Sequence, residues 1–288
     1  MNHGGWRMAD GGWAKALLAA TAFAFCASAA AQGFDHSHAA WSALLKKHVV
    51  LIDGGKASQV RYPGFQSDRA ALKRYLESLS GVTRQEFDGW DKAQRMAFLI
   101  NAYNAFTVEK ILTRYPDIRS IWDFGRFFGN PFKDRFFTLL GERASLDQVE
   151  HETLRKPGAY DEPRVHFAVN CAAIGCPMLR EEAYVPARLD AQLEEQARRF
   201  LSDRSRNRYH AERGRLEVSK IFDWFKEDWT SGYRGYQGRH EPIRSREQYF
   251  SAYAALLADD LIQRTIVQGG KAGLGFLDYD WSLNDAKR

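Results

Sequence analysis

Between Arg164 and Arg180 the chain reads RVHFAVNCAAIGCPMLR, and groups able to do chemistry crowd together there. Cys171 and Cys176 have four residues between them, Asn170 precedes the first, Pro177 follows the second, and His166 lies five residues upstream of Cys171. Thiol, imidazole and carboxamide are the groups a cysteine hydrolase uses as nucleophile, general base and orienting or oxyanion donor. The same two cysteines suit a disulfide closing a short loop, which needs Cα atoms about 4.4–6.8 Å apart. A redox-cycling pair is a third use, although such dithiols favour a two-residue spacing. A metal site is the fourth, short of the four-cysteine or two-cysteine, two-histidine sets that zinc takes. The residues alone leave all of these open, assign no metal ligands and call for no cofactor.

A second source of chemistry is SLDQVEHETLRKPG, a short helix with Ser145 as cap, Gln148 completing a capping box, and Pro157 and Gly158 closing it. At 100° per residue Leu146, Val149, Thr153 and Leu154 define its inward stripe, Glu150 falls inside that stripe, and His151 points about 100° away. An inward carboxylate is either paired with a cation, for which Arg164 or Arg180 is at hand, or tuned as an acid or base. His151 competes with His166 as base, because five residues of extended strand would hold His166 about 15 Å from Cys171.

Further polar groups stand where apolar ones would be easier. Asn101 and Asn104 share a face of FLINAYNAFTVEKIL, and buried amides must be hydrogen-bonded, either in a network that fixes a loop or in the lining of a site. The closing DYDWSLN offers Asp280 and Asn284; Asp280 either flanks a site or anchors the terminal loop. Asn101, Asn104, Arg180, Asp280 and Asn284 are the candidate binding residues, beside Cys171, His166, His151, Glu150 and Asn170 as candidate catalytic ones.

The elements that must position these groups are mostly helical. Periodicity predicts helices over about 39–47, 68–79 with Ser67 as N-cap, and from Asp91 to a stop at Pro116, the last apolar on every face and so buried. Further helices are expected over about 188–201, after a Ser219 cap, and over about 246–266, with strands at 135–140 and 215–218 and in the closing GFLDYDWSLN. RVHFAVN alternates and reads as a strand carrying His166 and Asn170 on one face. Helices outnumber strands without alternating regularly, which points to α+β: a predominantly helical single domain with a small, mainly antiparallel sheet, over residues 32–288.

Residues 1–31 read as a secretory signal peptide: Arg7 and Lys15 precede ALLAATAFAFCASAA, which ends in small residues. Phe25 stands where a small residue would precede a lipidated Cys26. A periplasmic or secreted location follows, with no transmembrane segment after cleavage, since no later run approaches the roughly 20 apolar residues a span needs. The net charge of +5 is mild, and the arginines crowded between Arg198 and Arg215 suit a solvated helix end before an anionic envelope surface; outside the cytoplasm no nucleic-acid partner is expected. In an oxidising compartment two remaining thiols are usually paired, which makes the disulfide the default among the four uses.

FLINAYNAFTVEKIL, SLDQVEHETLR, PRVHFAVNCAAIGCPMLREEAY, LDAQLEEQARRFL, VSKIFDWFKEDW and FLDYDWSLN, in that order, resemble the bacterial members of the family catalogued as domain of unknown function 547. The resemblance runs from about Trp41 to Asn284 and implies no established activity. Its pattern falls on Asn101, Asn104, Glu150, His151, Arg155, His166, Asn170, Cys171, Cys176, Pro177, Tyr279, Asp280, Trp281 and Asn284. Two functional expectations follow. One is a thiol-dependent hydrolase or acyl transferase acting on an envelope amide or ester, a small-molecule or peptide-like substrate. In it Cys171 attacks, His151 or His166 takes the proton, Glu150 or Asp280 orients the histidine, and Asn101, Asn104 or Asn170 donates to the oxyanion. The alternative is a non-catalytic binding or scaffold module stapled by Cys171–Cys176.

Overall fold

The computed structural model describes residues 1–5, 33–125 and 129–286. The chain divides into two units, Met1–Gly33 and Phe34–Arg288, and the fold below is that of the second. The expected signal peptide, with Cys26, falls almost wholly outside the described residues.

Helix α1 (Ala39–His48) buries Trp41, Leu44, Leu45 and His48, the i, i+3, i+4, i+7 stripe of an amphipathic helix. A hairpin of β1 (Val49–Ile52) and antiparallel β2 (Ala57–Val60) follows. A short α2 (Tyr62–Ser67) leads to α3 (Arg69–Gly81), which buries Leu72, Tyr75, Leu76 and Leu79. The expected Ser67 cap is not made: Asp68 holds that position, and the Ser67 hydroxyl donates back to the Pro63 carbonyl. After α4 (Arg84–Asp88), α5 (Lys92–Leu112) runs through the first hydrophobic cluster with 16 of its 21 residues buried, as its apolar faces require. Asp91 and Gln94 form a reciprocal capping box at its start, which holds the register of everything the helix carries.

Strands β3 (Phe137–Leu139) and β4 (Glu142–Ala144) make a second antiparallel hairpin. The Ser145 segment is a π-helical turn, Gln148–Leu154, with half the expected capping box: Gln148 N–H donates to the Ser145 hydroxyl, without a return bond. The strand expected at RVHFAVN is absent. Pro163–Phe167 is a 3-10 turn, opened by Pro163 and capped by the Glu162 carboxylate, which accepts from Arg164 N–H. Helix α6 (Leu189–Ser202) follows, then β5 (Arg208–His210), β6 (Arg215–Val218) and the short α7 (Ile221–Trp224).

The helix expected over 246–266 is three: α8 (Arg246–Ala252), α9 (Ala254–Leu257) and α10 (Leu261–Gln268). Tyr253 leaves helical geometry between the first two, Ala258 is extended, and Asp260 starts α10 by accepting from Gln263 N–H. Strand β7 (Gly273–Phe276) adds to β6 in parallel, beside the antiparallel β5–β6 pair. The result is α+β, largely helical, with small sheets. A second cluster around Phe167, Phe200, Phe222, Trp229 and Phe250 fills this half. Truncating one such ring, Phe222→Ala for example, costs about 3–5 kcal/mol. The arginines after α6 are spent in ion pairs, with Arg208, Arg213 and Arg215 converging on Glu217. Among the described residues no helix is long and apolar enough to cross a membrane.

Candidate functional site

Where the two clusters meet, a cavity of about 300 Å³ opens. Tyr103 of α5 and Val169 come to it from the first cluster; Ile221 of α7, with Phe225 packed beside it, comes from the second. Trp122, Phe132, Trp224, Tyr279 and Trp281 add aromatic wall, with Trp224 and Trp281 stacked 5.8 Å apart. Asp147 and Glu150 are its carboxylates, and among the described lining residues there is no lysine or arginine.

Both sulfurs lie in the wall, joined as the Cys171–Cys176 disulfide with Cα atoms 6.2 Å apart. The Cys171 N–H donates to Cys176 Sγ at 2.9 Å, and the Tyr279 hydroxyl sits 3.1 Å from Cys176 Sγ and 3.2 Å from Cys171 Sγ. Burial holds Tyr279 far above the usual phenol range, so its O–H stays protonated and acts as a donor. The C-terminal segment straps the bridged loop down: Ile174 N–H donates to the Ser282 carbonyl, Gly175 N–H to that of Asp280 and Asn284 N–H to that of Ala172. Gly175 permits the close approach, since a Cβ there would stand 3.0 Å from the Asp280 backbone.

Beside the bridge runs a chain of ionisable groups. His166 Nε2 is 2.7 Å from Asp228 Oδ2, and its Nδ1 lies 3.8 Å from Glu150 Oε1. Arg155 clamps the same Asp228 through Nε at 2.6 Å and Nη2 at 3.2 Å, and its Nη1 meets His151 Nδ1 at 2.6 Å. Burial lowers the His166 pKa, outweighing the attraction of Asp228. The neutral ring then donates from Nε2 to Asp228 and turns the lone pair of Nδ1 toward Glu150. Burial alone would raise the Asp228 pKa, but hydrogen bonds from His166 and Arg155 prevail and hold it low. The Phe225 ring also stacks on His166 at 4.2 Å.

Several expectations need correction. Glu150 meets neither Arg164 nor Arg180: Arg164 is taken by Glu162 and Asp190, Arg180 by Glu182 and Glu195. Glu150 faces His166 instead, and lies close enough to Tyr103 for its charge to help raise that phenol's pKa after burial. His151 does not point away from Glu150's side, since both line the cavity. The π-turn, marked by Arg155 N–H bonding back to the Glu150 carbonyl, is wider than the α-helix on which the 100° offset was reckoned. His166 reaches the same cavity as Cys171 because the chain turns rather than extends between them.

The expected oxyanion donors are engaged elsewhere. Asn101 binds the backbone of Tyr184 through both ends of its amide, and Asn104 spans Ala168 O and Asn170 N in the same way. Asn170 accepts from Ala172 N–H and donates to the Pro177 carbonyl, shaping the bridged loop from behind. Asn284 accepts from Tyr62 and donates to Asn170, Arg180 lies in its carboxylate network, and exposed Asp280 caps the Ser282 N–H in the terminal loop. None of these six lines the cavity. Sequence reasoning missed Asp228 altogether. Its signal was faint but present: Ile221, Phe225 and Asp228 are spaced four and three apart, so the carboxylate shares the apolar stripe. Among the described residues no group of three or more His, Cys, Asp or Glu is placed to hold a metal ion.

Fold and cavity together define an α+β pocket protein with a bridged cysteine pair in its wall. Residues 87–201 match the family described as Protein of unknown function, DUF547, the family its sequence blocks resemble. That span carries Glu150, His151, Arg155, His166 and both cysteines; Asp228, Trp224, Tyr279 and Trp281 come to the site from outside it. No curated protein and no solved structure matches the chain.

Proposed function

We propose that this is an exported binding module, at work in the periplasm or beyond, whose aromatic cavity takes a small-molecule or peptide-like ligand of the envelope above the Cys171–Cys176 bridge. One observation carries the choice over a cysteine hydrolase. Cys171 Sγ is engaged with Cys176 and the Tyr279 hydroxyl, while His166 and His151, the two candidate bases, are bonded to Asp228 and Arg155. A general base must lie within about 2.6–3.2 Å of the proton it takes, directly or through one water. The aromatic wall supports binding, since stacked indoles offer flat apolar faces and the carboxylates supply polar anchors.

Intrinsic tryptophan fluorescence reports on this pocket directly, because Trp122, Trp224 and Trp281 line it. Titration with envelope peptides and amino-sugar fragments should give a saturable change that Trp281→Ala weakens at least tenfold. Saturation unaffected by Trp281→Ala would remove the pocket from the binding function.

A second reading is favoured by the presence of Cys171, Glu150 and His166 in one cavity. Once reduced, Cys171 becomes the nucleophile of a thiol-dependent hydrolase or acyl transferase, with His166 as base oriented by Asp228. Under reductant such turnover should vanish in Cys171→Ala while the melting transition survives; turnover that persists in that variant excludes it.

A further inference from the structure

We infer that the Cys171–Cys176 bridge is a thiol–disulfide exchange centre, in which a small external thiol attacks Cys171 Sγ and Cys176 departs as a thiolate received by the Cys171 backbone N–H and the Tyr279 hydroxyl. This goes beyond ligand binding and does not depend on which ligand the cavity holds.

The two sulfurs are not equivalent. Cys171 is half-buried in the cavity wall, whereas Cys176 is buried to 4% exposure. Cys176 Sγ has two donors aimed at it, 2.9 Å from Cys171 N and 3.1 Å from Tyr279 Oη; the polar partner of Cys171 Sγ is that same hydroxyl at 3.2 Å. Disulfide sulfurs carry no proton, so the phenol donates in both contacts. Donors already in place where negative charge will develop stabilise it without reorganisation. Exchange also runs faster when the departing sulfur is the better-stabilised thiolate. The loop is held to this geometry on both flanks, by Asn104 accepting from Asn170 N–H before Cys171 and by the Asn170 carboxamide donating to the Pro177 carbonyl after Cys176.

The electrons balance within the named groups. An incoming thiolate forms a bond to Cys171 Sγ as the Cys171–Cys176 bond breaks, and that bond's electron pair goes to Cys176. A second thiolate then attacks the incoming thiol's own sulfur in the mixed disulfide and releases Cys171. Two external thiols are oxidised to one disulfide, the bridge is reduced to two cysteines, and the two thiol protons end on Cys171 and Cys176. Asp147 and Glu150 in the cavity wall select the substrate class, since no lysine or arginine is among the described lining residues and the neighbouring Arg155 and Arg206 are paired with Asp228 and Asp203. Small aminothiols enter; anionic thiols are repelled.

The test follows bridge opening in the folded, oxidised protein with cysteamine and with 2-mercaptoethanesulfonate at low salt, quenching with iodoacetamide and sequencing the cysteine peptide by mass spectrometry. Expected are an early cysteamine adduct on Cys171 with carbamidomethyl on Cys176, and a rate first order in thiol. Per thiolate, cysteamine should react at least about tenfold faster than the sulfonate. Tyr279→Phe, its fold checked by melting, should slow opening about tenfold through loss of one donor to the leaving sulfur. The proposal is overturned by an adduct on Cys176, by opening whose rate is independent of thiol and matches global unfolding, by no preference for the cation, or by an unchanged rate in a folded Tyr279→Phe. Should that variant not fold, adduct position and thiol preference in the wild-type chain still decide.

Discussion

Asp228 holds the site's ionisable chain together, and removing it tests whether that chain is one coupled unit. The carboxylate is 8% exposed and accepts two hydrogen bonds from Arg155 and one from His166, whose side chains are 17% and 1% exposed. In Asp228→Asn the shape survives and the bond from His166 Nε2–H to the amide oxygen is retained. The Arg155 guanidinium, however, loses its counter-charge in a poorly solvated place. Breaking a buried pair in this way costs about 3–5 kcal/mol, and the partial exposure of Arg155 sets the expectation at the lower end, about 3 kcal/mol. Arg155→Met should cost a similar amount by stranding the carboxylate, but the double variant should cost far less than the sum, because neither charge is then left alone. A coupling of about 2 kcal/mol or more is expected from urea denaturation of the four proteins with unchanged slopes. Additivity within about 0.5 kcal/mol would show that Arg155 does not depend on Asp228, and the account of the site as a single network would fall.

Acid should weaken the fold before the carboxylates titrate. Burial lowers the His38 pKa to about 3 and also lowers that of His166, so both are neutral when folded, while the unfolded chain takes up protons below about 6.5. Stability is therefore complete above that pH and falls as pH drops toward the folded values; for His38 the loss at pH 5 is about 2 kcal/mol. Denaturation free energy that is flat between pH 7 and 5 refutes this. Gly175→Ala, whose new Cβ meets Tyr279 and the Asp280 backbone at 2.9–3.0 Å, should lift the C-terminal strap and cost about 2–4 kcal/mol through overpacking and strained strap hydrogen bonds. A calorimetric melt within error of wild type would show the strap to be loosely held. Replacing both Cys171 and Cys176 by alanine removes a short closed loop and should cost about 2 kcal/mol, while leaving secondary structure intact. Alkylation without reductant that finds two free thiols in the purified wild-type protein contradicts the bridge.

Much of the scaffold is legible in one dimension because it is fixed by local periodicity. The stripes of α1 and α3, the all-round apolar α5 and the amphipathic α6 each announce a helix and the face it buries. The pairing of Cys171 with Cys176 was also within reach, because only a turn separates them. RVHFAVN alternates like a strand yet folds as a turn, and every residue from Glu162 to Asn170 is buried. With no solvent face, alternation carries no information about strand geometry, and Pro163 with its Glu162 cap decided the turn.

What the sequence determined by itself is the helical frame, the family pattern and the presence of thiol, imidazole and carboxylate near one another. Tertiary structure alone decided their company. Asp228 and Tyr279 lie 62 residues beyond His166 and 108 beyond Cys171, and no local rule links such positions. Nor could residue type show that the asparagines would be consumed by backbone groups, or that a π-turn would swing Glu150 and His151 to one cavity. Secondary structure follows from interactions a few residues apart; a site is assembled by packing between distant segments, where burial and hydrogen-bond satisfaction choose the partners.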